Sequence, residues 1–147
     1  MEVLNQQLAQ TDRLRSEDNR NRNSPQTLAR EALRAAIEKK ATDLVVIDIR
    51  DVSSVADFFV VCTGDSPRQI KAIADGIRED IRENCDEKPW HTEGYNGLEW
   101  ILLDYVDVVV HVFNEDKRTF YDLERLWGDV NMAQIEDENV DIALLQE

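Results

Sequence analysis

The chain has 147 residues, one-third of them charged, and a formal net charge of −14. That length suits one domain with tails. The acid excess excludes the clustered Lys and Arg on which nucleic-acid binding depends, so no direct nucleic-acid readout is expected and a basic protein partner is favoured. Cys62 and Cys85 lie far apart without metal or redox spacing, which fits a reduced cytoplasmic protein. No stretch approaches membrane-spanning length, and Glu2, Asp12, Glu17 and Asp18 argue against an acid-poor transit peptide, so no membrane partner is expected.

In chain order, residues 1–23 carry four acids and four bases among Gln and Asn and read as a flexible extension. Ser24-Pro25 is a helix start, and Leu28, Leu33, Ala36 and Ile37 give the helix a packing face to about Lys40. Leu44–Ile49 and Phe58–Cys62 read as strands. Ser66-Pro67 repeats the start signal, and Ile70, Ile73, Ala74, Ile77 and Ile81 keep helical spacing to about Asn84. A short strand over Pro89–Thr92 precedes the Glu93–Gly97 loop. Trp100–Leu103 and Val108–Phe113 flank the Asp104-Tyr105-Val106-Asp107 corner and predict an antiparallel hairpin, the second strand covered on both faces. A last helix is expected from Asp116 to Trp127, with Phe120, Leu123, Leu126 and Trp127 as its packing stripe. The order α-β-β-α-β-β-β-α implies an α/β (α+β) fold with a five-stranded mixed sheet and packed helices. Residues 24–128 form the domain, and residues 129–147, with six acids and no base, read as a solvated acidic tail. A short docked helix over Val140–Leu145 is the lesser alternative.

The chemical motifs are weak. Thr63-Gly64-Asp65-Ser66 between strand and helix has the form of a phosphate-binding turn, but Asp65 puts a carboxylate where phosphate would sit and Ser66 serves as an N-cap. No strand carries paired carboxylates for two-metal chemistry. His111, among valines, reads as a core histidine hydrogen-bonded to backbone or side chain. No catalytic residue, metal or cofactor is expected. Strand alternation places Trp100, Leu102 and Asp104 on one face, an aromatic anchor, an aliphatic neighbour and an acid suited to a basic protein partner.

The segment Trp100-Ile101-Leu102-Leu103-Asp104-Tyr105-Val106-Asp107-Val108-Val109-Val110-His111-Val112-Phe113, followed by Tyr121-Asp122-Leu123-Glu124-Arg125-Leu126-Trp127, resembles the Iojap-type ribosomal silencing factor family. Upstream blocks agree: Ala56 to Ser66, Arg68 to Asp75, and Glu93-Gly94. The resemblance covers about Ser24 to Trp127. It implies a nucleotidyltransferase-like α/β fold without transfer activity. It also implies a translation repressor that binds the large ribosomal subunit through large-subunit ribosomal protein fourteen and blocks small-subunit joining when nutrients run short. Alternatives are a large-subunit maturation factor and a nucleotide-using enzyme. Carried over to matching positions, Trp100, Leu102, Asp104 and Tyr105 are expected partner contacts, with Lys71 and Glu93 beside them. The free protein could form a homodimer. Val106 departs from the family's glycine, and since a β-branched residue resists positive φ, a wider or different turn is expected there.

Overall fold

Residues 23–126, 130–136 and 138–147 are described by the computed structural model. The expectations for the N-terminal extension and for Trp127 as a packing residue fall outside these segments.

Proline at the first helical position and a serine cap start both long helices, as the sequence predicts. In α1 (Pro25–Glu38) the Thr27 N–H donates to Ser24 Oγ, and in α2 (Pro67–Cys85) the Gln69 N–H donates to Ser66 Oγ, each at 3.1 Å. Each bond satisfies a donor that has no partner within the first turn. The apolar stripes of both helices, among them Leu28, Leu33, Ile70, Ile73, Ile77 and Ile81, are fully buried.

These stripes pack on a mixed sheet of β1 (Thr42–Asp48), β2 (Phe58–Thr63), β3 (His91–Glu93), β4 (Trp100–Asp104), β5 (Val108–Phe113) and β6 (Asn131–Ile135). The spatial order is β3-β4-β5-β2-β1-β6. Among the described residues only β2 and β5 are parallel neighbours; the remaining pairs are antiparallel, and β3 therefore runs in the same direction as β2. Side-chain alternation divides the core in two. Leu44, Val46, Phe58, Val60, Ile101, Leu103, Val110 and Val112 face α1 and α2. Val45, Ile47, Phe59, Val61, Leu102, Val109 and Phe113 face the other side, where Leu123 joins them. Both faces of β5 are buried, as its unbroken apolar run predicts.

Two expectations from the sequence are corrected. The sheet has six strands rather than five, because part of the C-terminal segment is not a solvated tail. β6 pairs antiparallel with β1, Leu44 opposite Ile135 through Asp48 opposite Asn131, and thereby satisfies backbone groups along β1's outer edge. Beyond it a 3-10 turn, Ala143–Leu145, buries Val140 and Leu145 against the α1 face, and Arg30 donates to the Leu145 carbonyl at 2.6 Å. The lesser alternative, a short docked helix over Val140–Leu145, is met in part: the stretch docks, but only residues 143–145 form a 3-10 turn. The last helix is also broken, into α3 (Glu115–Tyr121) and α4 (Leu123–Leu126). Asp122 lies between them at φ 46°, its N–H bonded to the Arg118 carbonyl at 2.8 Å, which is a left-handed cap that ends α3. Among the described residues no helix is long and apolar enough to cross a membrane.

Candidate docking site

β4 begins where β5 ends, Trp100 pairing with Phe113, and β5 ends beside the end of β2, Phe113 pairing with Thr63. The strand alternation puts Trp100 on the face away from α1 and α2. There its ring lies 4.8 Å from Phe113 and 4.6 Å from Tyr121, while one side stays partly open to solvent. The indole N–H donates to His111 Nδ1 at 3.1 Å.

That bond fixes the state of His111. Since Nδ1 accepts, the ring is neutral with its proton on Nε2, which is buried and has no hydrogen-bond partner among the described residues. His111 is completely buried, with Phe59 edge-on at 4.8 Å, and burial pushes its pKa down to about 3. The expected core histidine with a side-chain partner is therefore present, and the partner is the tryptophan singled out for docking.

The loop before β4 is fixed by Gly94. Its φ is +93°, and a Cβ there would sit 1.8 Å from the Trp100 carbonyl oxygen. Only glycine permits this approach, and the Leu98 N–H closes the loop on the Gly94 carbonyl at 2.9 Å. The Glu93-Gly94 pair thus holds the start of β4 in place.

The hairpin corner corrects the expectation for Val106. Despite its β-branch it adopts φ 77°, and the Asp107 N–H reaches back to the Tyr105 carbonyl at 3.0 Å, a γ-turn centred on Val106. Such a conformation costs about 1 to 3 kcal/mol. Two features offset it: the valine side chain is buried, and the Val106 N–H donates to Asp104 Oδ1 at 2.8 Å. The positive φ at this corner is thus held by burial and a carboxylate cap.

The six residues named for partner contact separate into two groups. Leu102 (3% exposed), Asp104 (0%) and Tyr105 (2%) are core. Alternation correctly gives the side of Leu102 and Asp104, but it does not reveal that this side is covered. Asp104 is occupied at the hairpin corner, and Tyr105 points to the α2 face, where burial pushes its phenol far up. Direct contact by these three would require opening the core. Trp100, Glu93 and Lys71 remain accessible. Glu93 pairs with Leu102 and so shares the Trp100 face, its carboxylate 3.2 Å from His91. Lys71 lies near the start of α2 on the opposite face and holds Asp75 at 2.6 Å. All three sit toward the end of the sheet where β2 and β5 finish.

Other motifs settle into structural roles. Ser66 caps α2, and Thr63 Oγ1 accepts from Arg118 at 2.8 Å rather than facing an open turn. Among the described residues, no three His, Cys, Asp or Glu side chains gather as a metal ion would need. Sequence reasoning missed Phe120 and Leu126, taken as packing residues but exposed on α3 and α4. A helix read as continuous hides the change of phase that Asp122 introduces.

The family described as "Ribosomal silencing factor during starvation" matches residues 21–146. The chain belongs to this family. Ribosomal silencing factors similar to it include that of Halalkalibacterium halodurans, 41% identical over 77% of this chain and 96% of the relative. That of Bacillus subtilis is 41% identical over 71% of this chain and 88% of the relative. A crystal structure of a Chromobacterium violaceum protein superposes with a TM-score of 0.69 at 32% identity, covering 80% of this chain and 97% of that one. Membership carries a regulatory role in ribosome silencing, and the family match includes β6 and the C-terminal turn as well as the silencing-factor blocks read from the sequence.

Proposed function

We propose that the chain represses translation by docking on the large ribosomal subunit through large-subunit ribosomal protein fourteen, so that the small subunit cannot join. It acts in the cytoplasm when nutrients are short, by occupying a surface and without making or breaking a bond. The observation that supports this reading is Trp100. A partly open indole is anchored from behind by His111, Phe113 and Tyr121 at one end of the sheet, on a chain of net charge −14. Interface energy concentrates in such supported aromatics, and an acidic surround selects a basic protein over rRNA phosphates. Glu93 shares the face of the contact, Lys71 lies at the same end of the sheet, and Leu102 packs in the core of that face, while Asp104 and Tyr105 hold the hairpin corner at the far end of β4.

The test is affinity for the isolated ribosomal protein. Trp100→Ala should raise Kd by about 30-fold or more, the effect of losing ~2 kcal/mol at a hot spot. Glu93→Lys should weaken binding more at low salt than at high salt, because screening masks exposed charge. The indole also packs on Phe113 and Tyr121, so affinity is to be scored on the folded fraction. Unchanged affinity there for Trp100→Ala would remove Trp100 from the interface.

A further inference from the structure

α3 and α4 each carry a large apolar side chain that is left exposed among the described residues, and we read the two as an apolar ridge. Phe120 is 76% exposed and Leu126 is 51% exposed. The ridge is continuous with the docking site: Phe120 meets the Tyr121 ring edge-on at 5.1 Å, and Tyr121 lies 4.6 Å from Trp100. It is also held rigidly. Arg118, at the inner side of α3, donates to Thr63 Oγ1 at 2.8 Å and to the Asp43 carbonyl, and its other nitrogen reaches Glu124 on α4 at 3.3 Å. One guanidinium thus ties both short helices to the sheet. An aromatic fixed in this way loses little further freedom on binding, which favours affinity.

Charge selects the occupant. Among the described residues Lys117 is matched by Glu99 at 3.8 Å and Arg118 by Glu124, leaving Glu115 and Asp116 on α3 and Asp122 between the helices against Arg125. Phosphates would be repelled by this surround. Two copies meeting through the same ridge would bring like charges together, since a two-fold interface apposes identical patches.

We propose that Phe120 is the anchor of the docking surface, with the exposed Leu126 of α4 as a second contact, and that Phe120 seats in an apolar depression on a basic ribosomal protein whose Lys and Arg meet the carboxylates of α3 and α4. This rests on the docking reading above and extends that site from the sheet end onto the helix pair. Because Phe120 is exposed, replacing it leaves the core intact.

The experiment compares the full chain with Phe120→Ser and Phe120→Leu in three readouts: pelleting with purified large subunits, thermal melting, and sedimentation equilibrium of the protein alone. Phe120→Ser should lower affinity for large subunits at least tenfold with melting within a few degrees of the parent, and Phe120→Leu should recover part of the loss. If the parent pellets with large subunits and Phe120→Ser does so equally well, the ridge assignment is overturned while the docking reading stands. Should Phe120→Ser dissociate a dimer without changing subunit affinity, the ridge belongs to a second copy and the proposal is likewise overturned. A parent chain that fails to pellet at all overturns the docking reading itself.

Discussion

Gly94→Ala should be the most damaging single-methyl substitution in the chain. The added Cβ would meet the Trp100 carbonyl oxygen at 1.8 Å, its carbon at 2.8 Å and Ile101 Cα at 3.0 Å, all of them backbone that cannot rotate away. The φ of +93° adds about 1 to 3 kcal/mol of its own for a non-glycine residue. Relief requires the start of β4 to leave its pairing with β5, so the expected loss is about 4 kcal/mol or more, in the range reserved for special backbone sites. For a domain of this size that lowers the melting temperature by more than ~10 °C. Gly97 supplies the control. Nothing lies within 4 Å of its Cβ position, and Gly97→Ala should change stability by less than about 1 kcal/mol. Thermal melting of the two variants checks the contrast, and a Gly94→Ala protein melting near the parent would mean that the loop does not sit on the strand as described.

Acidification should destabilise the parent more than a variant lacking the buried imidazole. His111 has a folded pKa of about 3, below the ordinary value of 6.5. Above pH 6.5 the ring is neutral in both folded and unfolded chains, and its full contribution is present. Between 6.5 and about 3 the unfolded chain takes up a proton that the folded one refuses, so stability falls as pH falls, at ~1.4 kcal/mol per unit. From pH 7.5 to pH 5.0 the loss amounts to about 2 kcal/mol. His111→Asn places an amide oxygen near the Nδ1 position as an acceptor for the indole while removing the titration. The difference in unfolding free energy between parent and variant should therefore shrink by about 2 kcal/mol over that interval, other carboxylates cancelling in the comparison. Urea titrations at the two pH values measure it. A difference that stays constant would show that His111 protonates freely and is not sealed behind Trp100.

Local signals in the sequence reach as far as local chemistry decides the structure. Ser24-Pro25 and Ser66-Pro67 place both long helices, because an N-cap and a proline act within one turn. The doubly apolar run Val108–Phe113 marks a strand covered on both faces, and His111 within it is buried and bonded as expected. β6 is different. Asn131–Ile135 is mixed in polarity and mostly exposed, and it becomes a strand through pairing with β1, a partner over eighty residues away that no local pattern announces. Asp122 changes the phase of the last helix by a left-handed cap that aspartate tolerates but does not advertise, and Phe120 passes from expected core to exposed ridge. Alternation along β4 assigns Leu102 and Asp104 to their face but says nothing about what lies over it. The stretch around Trp100 stands out in the sequence, but which of its residues are exposed and which are buried required the fold.

Subunit joining tests the central claim most directly. Purified large subunits are incubated with increasing amounts of the full chain, small subunits are added, and the mixture is sedimented through a sucrose gradient. The account predicts that the protein travels with free large subunits and that the yield of joined ribosomes falls as its concentration rises, with Trp100→Ala requiring much more protein for the same effect. Normal joining at saturating protein, with the chain still bound to large subunits, would contradict it.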